Sequence, residues 1–293
     1  MDVAKQQTQT WADRFWTSRD GLKLHYRDYA GPSDRPPLLM LHGLTRNSRD
    51  FEELADRYAG DWRVIAVDFR GRGQSEWDPV PANYVPPIYA IDVLQLLDEL
   101  EIKQAVFLGT SLGGLVTMIV ATIASDRIAG VLLNDVGPEL DLSGIDRIKT
   151  YVGKPVTFGD WDEAADRLQE RAGDVYPAYD HEDWVRFAKR ACRQTESGFE
   201  FDYDMAIAEP FQAGNTGEVP DGWPFYRALA GRPVLVLRGG NSDLLSDAAA
   251  ERMATEIQDV EVVTVPGVGH APDLAEPESV AAIDRLLERV LRR

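Results

Sequence analysis

Ser111 lies in Gly109-Thr110-Ser111-Leu112-Gly113, a G-x-S-x-G pentapeptide between the apolar run 105–108 and a helical stretch that begins at Leu112. A strand that turns sharply into a helix lifts one side chain out at its tip, on a strained backbone that small flanking residues tolerate. The helix N-terminus then aims free N–H groups at whatever sits beside that side chain. A serine placed there is poised as a nucleophile, provided a base and an acid reach it. The competing reading is a helix N-cap serine.

A serine hydroxyl needs a base that titrates near neutrality, which means histidine in most designs. The chain has four: His25, His42, His181 and His270. His25 falls in an early strand pattern and His181 in a region without strands. His42 directly follows the apolar run 38–41, and its ring is expected to be tied to nearby backbone. His270 sits in Val-Pro-Gly-Val-Gly-His-Ala-Pro, residues 265–272, a Gly/Pro-rich loop after the last strand pattern. In a parallel sheet the strand ends share one edge, so His270 and Ser111 emerge on the same side.

The acid that orients the imidazole should come from a loop at that edge too. Asp243, in RGGNSDLLS, follows the run 234–237, and its rival Asp135 lies just beyond 131–133. We favour Asp243, which lies 132 residues after Ser111 and 27 before His270. Either carboxylate would hold the tautomer and stabilise the imidazolium. An oxyanion hole needs two converging N–H groups, each worth about 3 kcal/mol. The backbone N–H groups of Leu112, immediately after the nucleophile, and of Leu44, in LHGLTRNS, are the candidates. Asn47 or Ser48 is expected to cap the following helix.

These side chains need a scaffold. Residues 22–29 alternate apolar and polar, as in a half-buried strand near a sheet edge. The runs 38–41, 64–67, 105–108, 131–133, 234–237 and 260–265 read as further strands, most of them covered on both faces. Helical spacing appears at 51–58, 88–100, 112–124 and 247–257, and from about Pro277 onward. Alternating strands and helices indicate a mostly parallel sheet of about eight strands with helices on both faces. Between Gly137 and Trp223 strongly apolar strands give way to charged amphipathic segments rich in aromatics. The expected division is a core from 1–136 and 226–293, with a mostly helical cap over 137–225.

Together these pieces resemble the α/β-hydrolase fold family. The matching motifs are LHG, DFRGRGQS, GTSLGG, RGGNSD and GVGHAPDL, spread over residues 20–136 and 226–293. The resemblance implies Ser111, Asp243 and His270 as a catalytic triad, Leu44 and Leu112 as oxyanion donors, and a helical cap between the sixth and seventh strands. Serine rather than aspartate at the elbow departs from haloalkane dehalogenases and epoxide hydrolases. The expected activity is hydrolysis of a carboxylic ester or lactone. C–C bond hydrolysis of aromatic ring-cleavage products, cofactor-free haloperoxidase activity and a non-catalytic ligand receptor are the alternatives.

Bulk properties narrow the partners. The 293 residues carry 31 Lys and Arg against 49 Asp and Glu, a net charge of −18 that repels phosphate backbones and anionic lipid. Expected partners are therefore small carbonyl substrates, not nucleic acid or membrane. Gly71-Arg72-Gly73 lacks the third glycine and the lysine of nucleotide loops and reads as a turn. The acidic residues of 137–225 lack calcium-loop spacing, and the single Cys192 permits neither an intrachain disulfide nor a cysteine zinc site. No cofactor or metal is called for. The N-terminus lacks an apolar signal region and no run approaches the ~20 apolar residues of a membrane span. The expected location is cytoplasmic.

Overall fold

In the computed structural model, residues 10–213 and 221–293 are described; residues 1–9 and 214–220, the latter inside the expected cap, lie outside the described residues. The chain begins with β1 (Trp11–Thr17), β2 (Lys23–Tyr29), β3 (Leu38–Leu41), α1 (Glu52–Tyr58), β4 (Val64–Asp68), α2 (Pro86–Glu99), β5 (Ala105–Thr110), α3 (Leu112–Ile123) and β6 (Ile128–Asn134). There follow α4 (Leu142–Lys149), β7 (Thr157–Phe158), α5 (Trp161–Ala172), α6 (His181–Ala191), β8 (Cys192–Thr195), β9 (Gly198–Phe201), α7 (Ala208–Ala213) and α8 (Trp223–Arg227). The chain closes with β10 (Val234–Gly239), α9 (Asp247–Glu256), β11 (Val260–Val265) and α10 (Pro277–Leu291).

Eight strands form one sheet in the order β1-β2-β4-β3-β5-β6-β10-β11. β1 and β2 run antiparallel to their neighbours, and the other six are parallel. Because side chains alternate along a strand, each central strand feeds two cores. Leu39, Leu41, Phe107 and Leu133 pack on one face beneath Val93 of α2 and Val116 of α3. Leu38, Met40, Leu108 and Leu132 pack on the other, beneath Leu54 of α1 and Leu286 of α10. Burial on both faces explains why these strands read as unbroken apolar runs.

Two elements escape the sequence reading. β1 lies at the sheet's edge, and Trp16 is its one fully buried side chain, so no apolar run marks it. The segment between β6 and β10 contains, besides α4 to α8, a small antiparallel sheet in the order β7-β9-β8. Its strands are two to four residues long and mixed in polarity (Cys-Arg-Gln-Thr, Gly-Phe-Glu-Phe), too short for periodicity to register. Among the described residues no helix is long and apolar enough to cross a membrane.

Candidate active site

β5 ends at Thr110 and α3 starts at Leu112, leaving Ser111 alone in the turn with φ 51° and ψ −113°. Positive φ in a non-glycine residue stores strain and is held only when the surroundings over-determine it. Here the Ser111 N–H donates to the Asn134 carbonyl at 3.0 Å. The close approach of α3 to β3 also requires Gly113, where a Cβ would lie 2.0 Å from the Leu41 carbonyl oxygen. Although Ser111 occupies the N-cap position, its side chain makes no capping hydrogen bond. Its hydroxyl instead points at His270.

His270 follows β11 in a loop pinned from both sides. The Asn241 N–H donates to the Val268 carbonyl at 2.8 Å, and the Gly269 N–H donates to the Val175 carbonyl at 2.8 Å. The Tyr176 hydroxyl donates to the Ala271 carbonyl at 2.7 Å, and the Asn134 side-chain amide to the Pro272 carbonyl at 2.8 Å. So held, His270 Nε2 stands 2.9 Å from Ser111 Oγ and Nδ1 stands 2.8 Å from Asp135 Oδ2. With a carboxylate against Nδ1, that nitrogen carries the proton and Nε2 accepts from the serine hydroxyl.

Asp135, not Asp243, is therefore the carboxylate that meets His270. It follows β6 directly, with φ 53°, and is fully buried. Its N–H donates to the Leu237 carbonyl at 2.8 Å. Oδ1 accepts from the Gly239 N–H at 2.8 Å and Oδ2 from the Ser242 hydroxyl at 2.6 Å, so both oxygens are satisfied by the end of β10 and the loop after it. Asp243, the expected acid, is turned aside: Arg147 of α4 grips it through Nε at 2.5 Å and Nη2 at 2.8 Å. That guanidinium holds the Asp243 carboxyl below the usual carboxylate range. The loop expected to supply the acid instead supplies hydrogen bonds that fix it.

The backbone N–H groups of Leu44 and Leu112 donate to no acceptor among the described residues, whereas the peptides around them are pinned. Arg72 Nε donates to the Leu44 carbonyl at 3.0 Å, and the Arg46 N–H to the Gly43 carbonyl at 3.3 Å. Arg72 belongs to the Gly-Arg-Gly turn read from sequence as merely local. Its hold on the Leu44 carbonyl is a contact that reading missed, and its total burial carries no sequence signal. His42 is tied to backbone: its ring faces the Gly43 carbonyl at 2.7 Å and accepts the Phe69 N–H at 3.1 Å. Burial pushes its pKa down to about 4, so the ring is neutral at pH 7. Asn47, in turn, caps the short turn that precedes α1, accepting from the Arg49 N–H at 3.0 Å.

Ser111 and His270 line a cavity of about 150 Å³ together with Arg147, Tyr151, Leu168 and Phe187 from between β6 and β10. Gly43 and Leu44 line it too. The arrangement can move a proton from the Ser111 hydroxyl to the His270 imidazole. Among the described residues no group of three or more His, Cys, Asp or Glu side chains could hold a metal ion.

A fold with six parallel strands, a serine elbow after the fifth strand and a histidine loop after the last defines a class. The model of the alpha/beta hydrolase family matches residues 38–283, and the chain belongs to that family. A 3-hydroxybutyrate-oligomer hydrolase of Cupriavidus necator is 35% identical over 267 residues, covering 88% of this chain and 90% of that protein. A 2-(acetamidomethylene)succinate hydrolase of Mesorhizobium japonicum is 30% identical over 245 residues, covering 83% of this chain and 84% of its own. In three dimensions the chain is similar to an alpha/beta hydrolase from Novosphingobium aromaticivorans, with a TM-score of 0.92 and 53% identity. That match covers 96% of this chain and 99% of the other. The protein is a hydrolase of this family.

Proposed function

We propose that this enzyme hydrolyses small carboxylic esters or lactones through an acyl-enzyme on Ser111, with His270 as general base and acid and Asp135 orienting it. The observation that carries the reading is the continuous chain from Ser111 Oγ through His270 to Asp135, with contacts of 2.9 and 2.8 Å. Ser111 Oγ attacks the ester carbonyl while its proton passes to His270 Nε2. The carbonyl oxygen becomes an oxyanion held by the Leu44 and Leu112 N–H groups. Collapse breaks the bond to the leaving alcohol, which takes the proton from Nε2. Water then gives a proton to Nε2, attacks the acyl carbon and releases the acid and free Ser111.

Residues 137–225 act in this reading as a cap that limits the acyl or alcohol group to the cavity beneath it. The relative named for 3-hydroxybutyrate oligomers, whose units are joined by ester bonds, supports ester cleavage. The test is p-nitrophenyl acetate hydrolysis by wild type and Ser111→Ala. Loss of turnover in the variant is expected, and full retention would remove Ser111 from the reaction.

A further inference from the structure

The cavity and the whole chain differ in charge. The chain carries −18, yet the cavity wall holds four arginines, Arg46, Arg147, Arg171 and Arg190, against the two carboxylates Asp50 and Asp273. Most of these charges are engaged. Asp50 grips Arg46 with contacts of 2.7 and 2.5 Å, Asp243 occupies Arg147, and the Tyr179 hydroxyl donates to Asp273. Arg190 has Glu53 Oε1 at 4.0 Å.

Arg171 is different. It projects from the last turn of α5 and has no carboxylate partner among the described residues. Its guanidinium carbon lies 3.5 Å from the centroid of the Tyr151 ring and 5.4 Å from that of Phe201. Solvent reaches the side chain, yet the crowding protein lowers its pKa by desolvation. It lines the cavity beside Tyr151. A guanidinium stays charged even so. The Tyr151 ring lies against the guanidinium carbon, and a guanidinium's planar N–H fork matches a carboxylate edge-on.

We propose that substrates of this site carry a free carboxylate besides the scissile ester, and that Arg171 binds that carboxylate through its in-plane N–H groups. The proposal rests on the ester-hydrolase reading for its substrate and on Arg171 for its specificity. Aromatic contacts fix the guanidinium in advance, so little side-chain entropy is lost on binding.

The test compares ethyl hydrogen glutarate with its neutral amide, ethyl 4-carbamoylbutanoate, which has the same shape and no charge. Wild type is expected to favour the half-ester. Arg171→Gln is expected to lower kcat/KM for the half-ester by roughly 10- to 100-fold, mainly through KM, the effect of losing a charge-assisted hydrogen bond. The amide should change by no more than about twofold, and Arg171→Lys should recover part of the loss. Equal turnover of both esters by wild type, or equal loss on both in Arg171→Gln, would overturn the proposal and leave the hydrolase reading intact. If neither ester is turned over, calorimetric titration with ethyl hydrogen glutarate separates the two claims. Binding by wild type that disappears in Arg171→Gln keeps the carboxylate site and removes the hydrolase reading. No binding by wild type overturns the carboxylate site.

Discussion

Replacing Asp135 by Asn tests which acid serves His270, and its effect can be worked out from the hydrogen bonds. In the native protein Oδ1 accepts the Gly239 N–H, while Oδ2 accepts both the Ser242 hydroxyl and the His270 Nδ1 proton. An asparagine has one oxygen, and the Gly239 N–H claims it, because turning the amide around would set two donors against each other. The NH2 group then faces His270 and donates to Nδ1. That moves the imidazole proton to Nε2, where it points at Ser111 and cannot accept the serine proton. Such a tautomer change costs about four orders of magnitude in kcat, or ~5 kcal/mol of transition-state stabilisation, with KM little changed. The side chains are nearly isosteric, so circular dichroism and thermal melting should show a folded protein. Asp243→Asn removes a half-buried ion pair with Arg147 and should alter kcat by only a few-fold. Steady-state ester hydrolysis by the two variants is the assay. A thousandfold loss in Asp243→Asn with near-normal turnover in Asp135→Asn would refute the reasoning.

Two further outcomes follow from the scaffold. In Gly113→Ala the new methyl would meet the Leu41 carbonyl oxygen at 2.0 Å, backbone that cannot yield without shifting α3; we expect a stability loss of about 3 kcal/mol or more in urea unfolding, with activity lost in parallel. His42 gives a pH dependence with a definite sign, because burial holds its folded pKa near 4 while the unfolded ring titrates near 6.5. Its contribution is fully present above about pH 6.5 and is lost as pH falls towards 4, amounting to about 3 kcal/mol by that point. NMR of the imidazole nitrogens should find His42 neutral at pH 5.5, and half-protonation near pH 6.5 would contradict it.

The layout of the fold was largely legible because sheet strands covered on both faces carry apolar runs that no turn or surface helix imitates. That Ser111 and His270 meet could be read from the G-x-S-x-G motif and from position, each residue following such a run at the same edge. Which carboxylate meets His270 could not. Asp135 and Asp243 follow β6 and β10, which are neighbours in the sheet, so strand order puts both near His270. What separates them is Arg147, on a helix of the intervening segment, which draws Asp243 away. That pairing depends on how α4 docks, and no local pattern encodes it. Arg171 was illegible for a related reason: in sequence it is one more cation on an amphipathic helix, and its lack of a carboxylate partner among the described residues exists only in the folded chain.

The proposed chemistry depends on an activated hydroxyl at Ser111, and covalent labelling measures that directly. Wild type treated with a fluorophosphonate should gain the mass of one phosphonyl group, located on Ser111 by peptide mass spectrometry. His270→Ala, lacking the base, should label far more slowly. An unlabelled Ser111 in protein that hydrolyses esters, or a label on another residue, would contradict the assignment.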